Sequence, residues 1–169
     1  GRFAEIGTGS SNTQDELETG KYPFFVRSQI VRWKNEYEFD ETAIITSGDG
    51  VGVGKVLHYY EGKYALHQRA YRIKVNVDFV VPKYLFYFIQ KDFYSYIMSN
   101  AYAASVTSVR KPMLINYPIP IPTFQEQTRI VSILDTFTAS IDNLKKQIAE
   151  RRKQDEYERE KLLDLEGKR

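Results

Sequence analysis

Apolar positions in the last quarter of the chain set the frame for the rest. Ile130, Leu134, Phe137, Ile141, Leu144 and Ile148 recur at alternating steps of four and three, the repeat of a helix that buries one stripe against a partner helix. Ahead of them Pro118, Pro120 and Pro122 alternate with Ile119 and Ile121, and helix is barred there because proline lacks the amide donor and restrains its predecessor. Thr123 and Glu126 then stand at the spacing of a capping box. Neither glycine nor proline interrupts the pattern before Gly167. One helix is therefore predicted from Thr123 to about Glu166, on the order of 60 Å long and roughly twice the span of a small domain. Such a rod needs a partner for its stripe. Around Arg151, Asp155 and Glu158 the stripe turns charged, either to fix register by cross-helix ion pairs or to face solvent or another subunit.

Upstream the period shortens toward two. Residues 22–26 and 28–31 read as short strands, 37–39 alternate similarly, and 43–46 form a continuous apolar run of the kind buried in a sheet. Residues 56–60 resume the β pattern, Glu61-Gly62-Lys63 reads as a turn, and 64–75 as one long strand. Pro82 opens a helical section whose aromatic residues between Tyr84 and Met98 are best read as core. Met113-Leu114-Ile115, Ile119 and Ile121 would return the chain to the sheet. The expected class is α+β: a mixed, β-rich globular domain with a few helices over residues 1–122, then one long helix over 123–169.

Composition narrows the function classes. A chain of 169 residues suits one ordinary domain plus an appendage, and the abrupt start at Arg2-Phe3 reads as a fragment or a short gene product. With no cysteine, neither a disulfide framework nor a thiolate metal or redox site is expected. Histidine is confined to His58 and His67, so no metal site and no cofactor are expected. No signal peptide and no apolar run of about 18 residues appears, which makes cytoplasmic the default and a membrane partner unexpected. Net charge is only +2, but its distribution is uneven. Lys55, Lys63, Arg69, Arg72, Lys74, Lys83, Lys91, Arg110 and Lys111 face only Glu61, Asp78 and Asp92 over that stretch. One face of the domain is expected to be positive, as a polyanion-binding surface would be, or else to carry scattered solvated lysines. Thirteen tyrosines suit phosphate contacts and base stacking as well as ordinary cores.

Several stretches offer chemistry. Ser10 and Ser11 lie in a small, hydroxyl-rich loop over 7–13 that either aims short donors at phosphates or is a plain surface turn. Residues 47–55 are rich in glycine but fail both nucleotide motifs. A phosphate loop would need glycine at Asp49 and a hydroxyl at Val56, and a dinucleotide fingerprint would need glycine at Lys55. The segment reads instead as a loop or bulged hairpin, whose glycines let the backbone approach nucleic acid or a neighbouring strand. Gln68 and Arg69 or Arg72 occupy the polar side of the predicted long strand, and these are the side-chain types suited to bidentate base contacts. His67 lacks a paired carboxylate and is expected to be structural. Ser105, Thr107, Ser108, Arg110 and Lys111 form a donor set that a phosphate backbone would use.

Four landmarks in this order resemble one family. They are Thr46-Ser47-Gly48-Asp49-Gly50-Val51-Gly52-Val53-Gly54-Lys55, Leu66-His67-Gln68-Arg69-Ala70-Tyr71, residues 108–114, and above all Ile119-Pro120-Ile121-Pro122-Thr123-Phe124-Gln125-Glu126-Gln127 followed by Ile130-Val131-Ser132-Ile133-Leu134-Asp135. Together they resemble the specificity subunit of type I restriction–modification systems. The resemblance implies a target-recognition domain over 1–122 and a conserved-region helix over 123–169. In that family two such halves occur in tandem with antiparallel helices, whereas this chain has one half, so it implies either a truncated form or a half-subunit that homodimerises. It implies double-stranded DNA, a second copy, modification (adenine methyltransferase) subunits and a restriction subunit as partners. Its DNA contacts would fall on Ser10, Ser11, Arg27, Ser47, Asp49, Lys55, Gln68, Arg69, Tyr71, Ser105, Thr107, Ser108, Arg110 and Lys111. The dimer helix would use Ile130, Leu134, Phe137, Ile141, Leu144 and Ile148. No Asn-Pro-Pro-Tyr-type motif or nuclease carboxylate cluster is present, so no catalysis is expected in this chain. Two competing readings remain: an enzyme built on Asp49, His58 or His67, and a coiled-coil adaptor whose globular part binds protein.

Overall fold

The computed structural model describes residues 2–101 and 108–166. The chain divides into two units, Gly1–Thr128 and Arg129–Arg169. In the first, six strands form one sheet: β1 (Ala4–Thr8), β2 (Tyr22–Phe25), β3 (Arg32–Lys34), β4 (Phe39–Ser47), β5 (Leu57–Leu66) and β6 (Ala70–Val75). Their order across the sheet is β1-β6-β4-β5-β2-β3. Neighbours are antiparallel except β2 and β5, where Phe24 and Phe25 run parallel to Ala65 and Leu66.

Alternation along the strands separates two cores, as a pleated backbone requires. Ala4, Ile6, Ile44 and Ile73 pack with Leu85, Ile89, Phe93 and Ile97 of helix α1 (Pro82–Ala101) and with Leu114 of helix α2 (Lys111–Ile115). Ala43, Ile45, Tyr64, Leu66 and Ala70 gather with Phe25 in a second cluster. That grouping requires the sheet to coil. β5 meets β4 at Phe39↔Tyr64, whereas β6 meets the opposite end of β4 at Ser47↔Ala70. In a flat sheet those ends would lie about 26 Å apart along the strand, yet the chain from Tyr64 to Ala70 reaches only about 21 Å at full extension. Gly62, at φ +121° within β5, supplies a backbone conformation that L side chains rarely adopt and lets the strand bend there.

The second face also holds a charged network beside its apolar cluster. Arg72 donates to Glu41 at 2.9 Å and to Glu5, and lies 4.6 Å from the Phe39 ring centroid. Lys74 and the Tyr64 hydroxyl also reach Glu41, at 3.2 and 3.0 Å. Burial, reinforced by the Glu41 carboxylate, pushes the Tyr64 hydroxyl far above its ordinary pKa. Arg72 is thus tied into the fold instead of standing on an open polar face.

Several local expectations are corrected. Residues 28–31 are not a strand: Ser28 Oγ donates to Ile30 O at 2.9 Å, a local bond that competes with a ladder. Glu61-Gly62-Lys63 is not a turn, because these residues pair with Thr42, Glu41 and Asp40 and continue β5. The chain reverses instead at residues 67–69, which splits the expected long strand into β5 and β6. Gly7 and Thr8 belong to β1, not to the loop. Met113-Leu114-Ile115 lie in α2, with Pro112 in its first turn. Ile119 and Ile121 pack on the first core from an extended segment outside the sheet.

Helix α3 (Phe124–Glu166) is 43 residues long, or about 64 Å. Thr123 Oγ1 accepts from Glu126 N–H at 3.3 Å, one half of the expected capping box. Its first turn belongs to the sheet unit, and the reason is Gln127, whose side chain is fully buried. Gln127 Oε1 accepts from Val81 N–H at 2.8 Å, while Nε2 donates to Phe79 O at 2.9 Å and Pro122 O at 2.8 Å. Among the described residues no helix is long and apolar enough to cross a membrane.

Candidate nucleic-acid interface

The turn at His67, Gln68 and Arg69 is held by four backbone hydrogen bonds, three of them to other segments. His67 N–H donates to Phe25 O at 2.9 Å, Gln68 N–H to Ser11 O at 2.8 Å, Gly48 N–H to Arg69 O at 2.8 Å, and Ala70 N–H closes the turn onto His67 O at 2.9 Å. Gly9 and Gly48 permit this convergence: a Cβ on Gly9 would sit 1.8 Å from Leu66 O, and one on Gly48 2.5 Å from Arg69 O. His67 is buried, and its Nδ1 accepts from Arg69 N–H at 3.0 Å. The neutral ring therefore carries its proton on Nε2, which faces Thr13 Oγ1 at 3.2 Å. Burial, followed by the charge of Arg27, lowers the pKa of His67 and favours this neutral form. Gln68 and Arg69 stand exposed on that fixed base.

Beside the turn lies the glycine-rich loop that follows β4. Asp49 accepts from Arg27 at 2.8 Å and from Arg69 at 3.2 Å, joining three loops through one carboxylate. Burial works to raise its pKa, but the hydrogen bonds and charges of Arg27 and Arg69 hold it below the usual aspartate value. Asp49 also forms a β-bridge with Ser108, and Val109 N–H donates to Gly48 O at 2.8 Å. That contact brings exposed Arg110 and Lys111 to the same region. Lys55 lies 5.3 Å from the Tyr94 ring centroid. Arg27, Asp49, Gly50, Val51, Lys55 and Tyr94 help line an open cavity of about 590 Å³.

Of the residues expected to contact DNA, the structure brings Arg27, Asp49, Lys55, Gln68, Arg69, Ser108, Arg110 and Lys111 to this end of the domain. Ser11 is buried and turned inward, its Oγ donating to Glu38 and accepting from Lys34 Nζ at 2.7 Å. Ser10 is exposed, with its N–H on Glu38 at 2.8 Å. Ser47 is buried and donates to Asp49 O at 2.7 Å, and Tyr71 packs on the first core. Ser105 and Thr107 lie outside the described residues. The glycines divide the roles that their sequence left open: Gly48 and Gly52 approach the backbone of Arg69 and Arg27, whereas nothing lies within 4 Å of a Cβ on Gly50. Sequence reasoning missed Val51, Tyr94 and the Thr13–His67 contact. Only the two glycines flanking Val51 hinted at any of them.

Among the described residues no group of three metal-ligating side chains occurs. Along α3, Ile130 and Leu134 are half-buried, while Phe137, Ile141, Leu144 and Ile148 are each more than half exposed. These four share the heptad stripe with nothing of the described chain covering most of their surface.

Residues 1–151 match the family model described as type I restriction modification DNA specificity domain. The chain is 26% identical over 145 residues to the type I restriction enzyme EcoDI specificity subunit of Escherichia coli, covering 86% of this chain and 31% of that protein. Among solved structures, the type I restriction–modification S subunit of M. genitalium superposes with a TM-score of 0.70 at 14% identity, over 88% of this chain and 40% of that one. The HsdS subunit of Thermoanaerobacter tengcongensis superposes with a TM-score of 0.60 at 16% identity, over 86% and 37%. These likenesses carry the α+β fold with its long C-terminal helix. The chain spans about a third of the length of the curated relatives it matches.

Proposed function

The chain belongs to the type I restriction–modification DNA specificity family, and we propose that it acts as a half specificity subunit that reads duplex DNA as a homodimer. The observation that carries the reading is the convergence of Arg27, Lys55, Gln68, Arg69 and Arg110 from separate loops, with the turn and Asp49 bonded to the scaffold. Cations beside phosphates position a protein on duplex DNA, and Gln and Arg on a rigid turn can read base edges. Ser10, Ser108 and Lys111 would add backbone contacts. Methyl transfer and cleavage belong to modification and restriction subunits that this dimer would dock in the cytoplasm, and no catalytic step is assigned to this chain.

The exposed stripe of α3 supports pairing with a second copy, and its charges favour an orientation. In a parallel, in-register pair Arg151, Asp155 and Glu158 would each face their own kind, a costly arrangement. In an antiparallel pair with its two-fold axis midway between Phe137 and Ile141, Ile130 meets Ile148, Leu134 meets Leu144 and Phe137 meets Ile141. Thr128 then lies opposite Glu150, 22 residues along the rod, so the two copies of Thr128 stand about 33 Å apart.

Selection of a target from a random duplex library by the full chain, with affinity followed against salt, tests the reading. An inverted repeat with an unread spacer and a steep fall of affinity with salt are expected. Failure to enrich any sequence, or binding indifferent to salt, would favour a protein-binding adaptor.

A further inference from the structure

The geometry points to Val51 as a specificity-determining residue that reads the C5-methyl group of a thymine in the major groove. This inference rests on the DNA-binding reading and adds a base contact to it. Val51 is 97% exposed at the middle of the short turn Gly50–Gly52. Both feet of that turn are fixed. On one side Asp49 is held by Arg27 and Arg69, at 2.8 and 3.2 Å. On the other, Val53 is buried in the core and its N–H donates to Gly50 O at 3.2 Å, while Val56 N–H donates to Gly52 O at 2.9 Å.

Holding an aliphatic side chain in water on a rigid turn gains nothing for the fold, since burying it would be worth more. The surroundings indicate what it meets instead. Arg27 and Lys55 line the same cavity as Val51, so an incoming polyanion meets cations beside the tip. Between phosphates, the one base-edge feature that an aliphatic side chain recognises is the thymine methyl group. Valine is branched at Cβ and stiff about χ1, so little rotamer freedom is lost on contact. Gly50, at φ +76° and with nothing within 4 Å of an added Cβ, leaves the flank of the tip open to an approaching groove edge.

The test uses the full chain and the target selected from the random library. Each thymine in one half-site is replaced singly by deoxyuridine, which removes the methyl group and nothing else. At one position the unmodified protein should lose affinity about fourfold, the worth of one buried methyl group. Val51→Ala should bring the thymine-to-uracil ratio there close to one while leaving the salt dependence unchanged, and Val51→Ile should retain the ratio. The inference is overturned if no thymine position is sensitive, or if Val51→Ala keeps the full ratio. Failure to select any target at all would instead overturn the DNA-binding reading beneath it.

Discussion

Gln127→Glu is the sharpest test of how the first turn of α3 is held within the sheet unit. The substitution preserves shape and the acceptor for Val81 N–H, but it replaces the two N–H donors that serve Phe79 O and Pro122 O with an oxygen. Each carbonyl left without its donor in a buried site costs about 1–3 kcal/mol, and an anion pressed against two carbonyls adds to that. For a chain of this size the combined loss lowers Tm on the order of 10 °C. The deficit should depend on pH. A buried Glu at this position has its folded pKa raised, so its protonated form, which keeps one O–H donor, is the better tolerated. Relative stability is then greatest below the unfolded value of about 4.3 and is lost as pH rises through the folded value. Thermal unfolding followed by circular dichroism at pH 5 and pH 8 gives both numbers. A variant that unfolds within 2 or 3 °C (roughly 1 kcal/mol) of the unmodified chain at pH 8 would refute the argument that this buried amide anchors the first turn of α3 in the sheet unit.

Other consequences are equally direct. Ile141→Lys should leave the thermal unfolding of the sheet unit unchanged but shift the chain from dimer to monomer in sedimentation at micromolar concentration, because Ile141 lies on the exposed stripe. Arg69→Ala should weaken duplex binding and reduce the slope of log affinity against log salt by about one. Asp49→Asn should alter stability by less than about 1 kcal/mol, since its ion pairs are solvent-accessible, yet raise non-specific affinity by releasing Arg27 and Arg69 toward phosphates. His67, with its pKa lowered in the fold, contributes stability that is fully present above pH 6.5 and lost as pH falls through the lowered value. His58, also lowered by burial, adds to the same limb, so comparison with His67→Asn in acid titrations isolates the contribution of the turn.

What the sequence disclosed follows from how local each signal is. The long helix was legible because its heptad stripe repeats without interruption and its start is marked by prolines and Thr123. The apolar centre of β4 at 43–46 and helix α1 were legible from their apolar patterns, but β4 begins at Phe39 and Tyr37 and Glu38 lie outside it. Glu61-Gly62-Lys63 misled because its composition is that of a turn, whereas pairing with β4 holds it extended. The true reversal carries no glycine or proline. It depends on the His67 ring accepting from Arg69 N–H and on bonds to three distant segments, none visible locally. Met113-Leu114-Ile115 is too short an apolar run to separate strand from helix.

The candidate site was legible as residue types and not as an arrangement. Arg27, Asp49 and Arg69 are about twenty residues apart, and no spacing rule links them; the coiled sheet does. Ser11 and Ser47 carry the expected chemistry but face inward. Val51 had no polar signature to mark it. Its significance comes from exposure on a tethered turn.

Binding to a series of duplexes bears most directly on the account as a whole. Two copies of the selected half-site are placed as an inverted repeat and the spacer is changed one base pair at a time. A dimer joined through α3 in the register derived from its stripe predicts one narrow optimum of spacing, and its disappearance with Ile141→Lys. Equal affinity at every spacing, or for a duplex carrying a single half-site, would contradict the account.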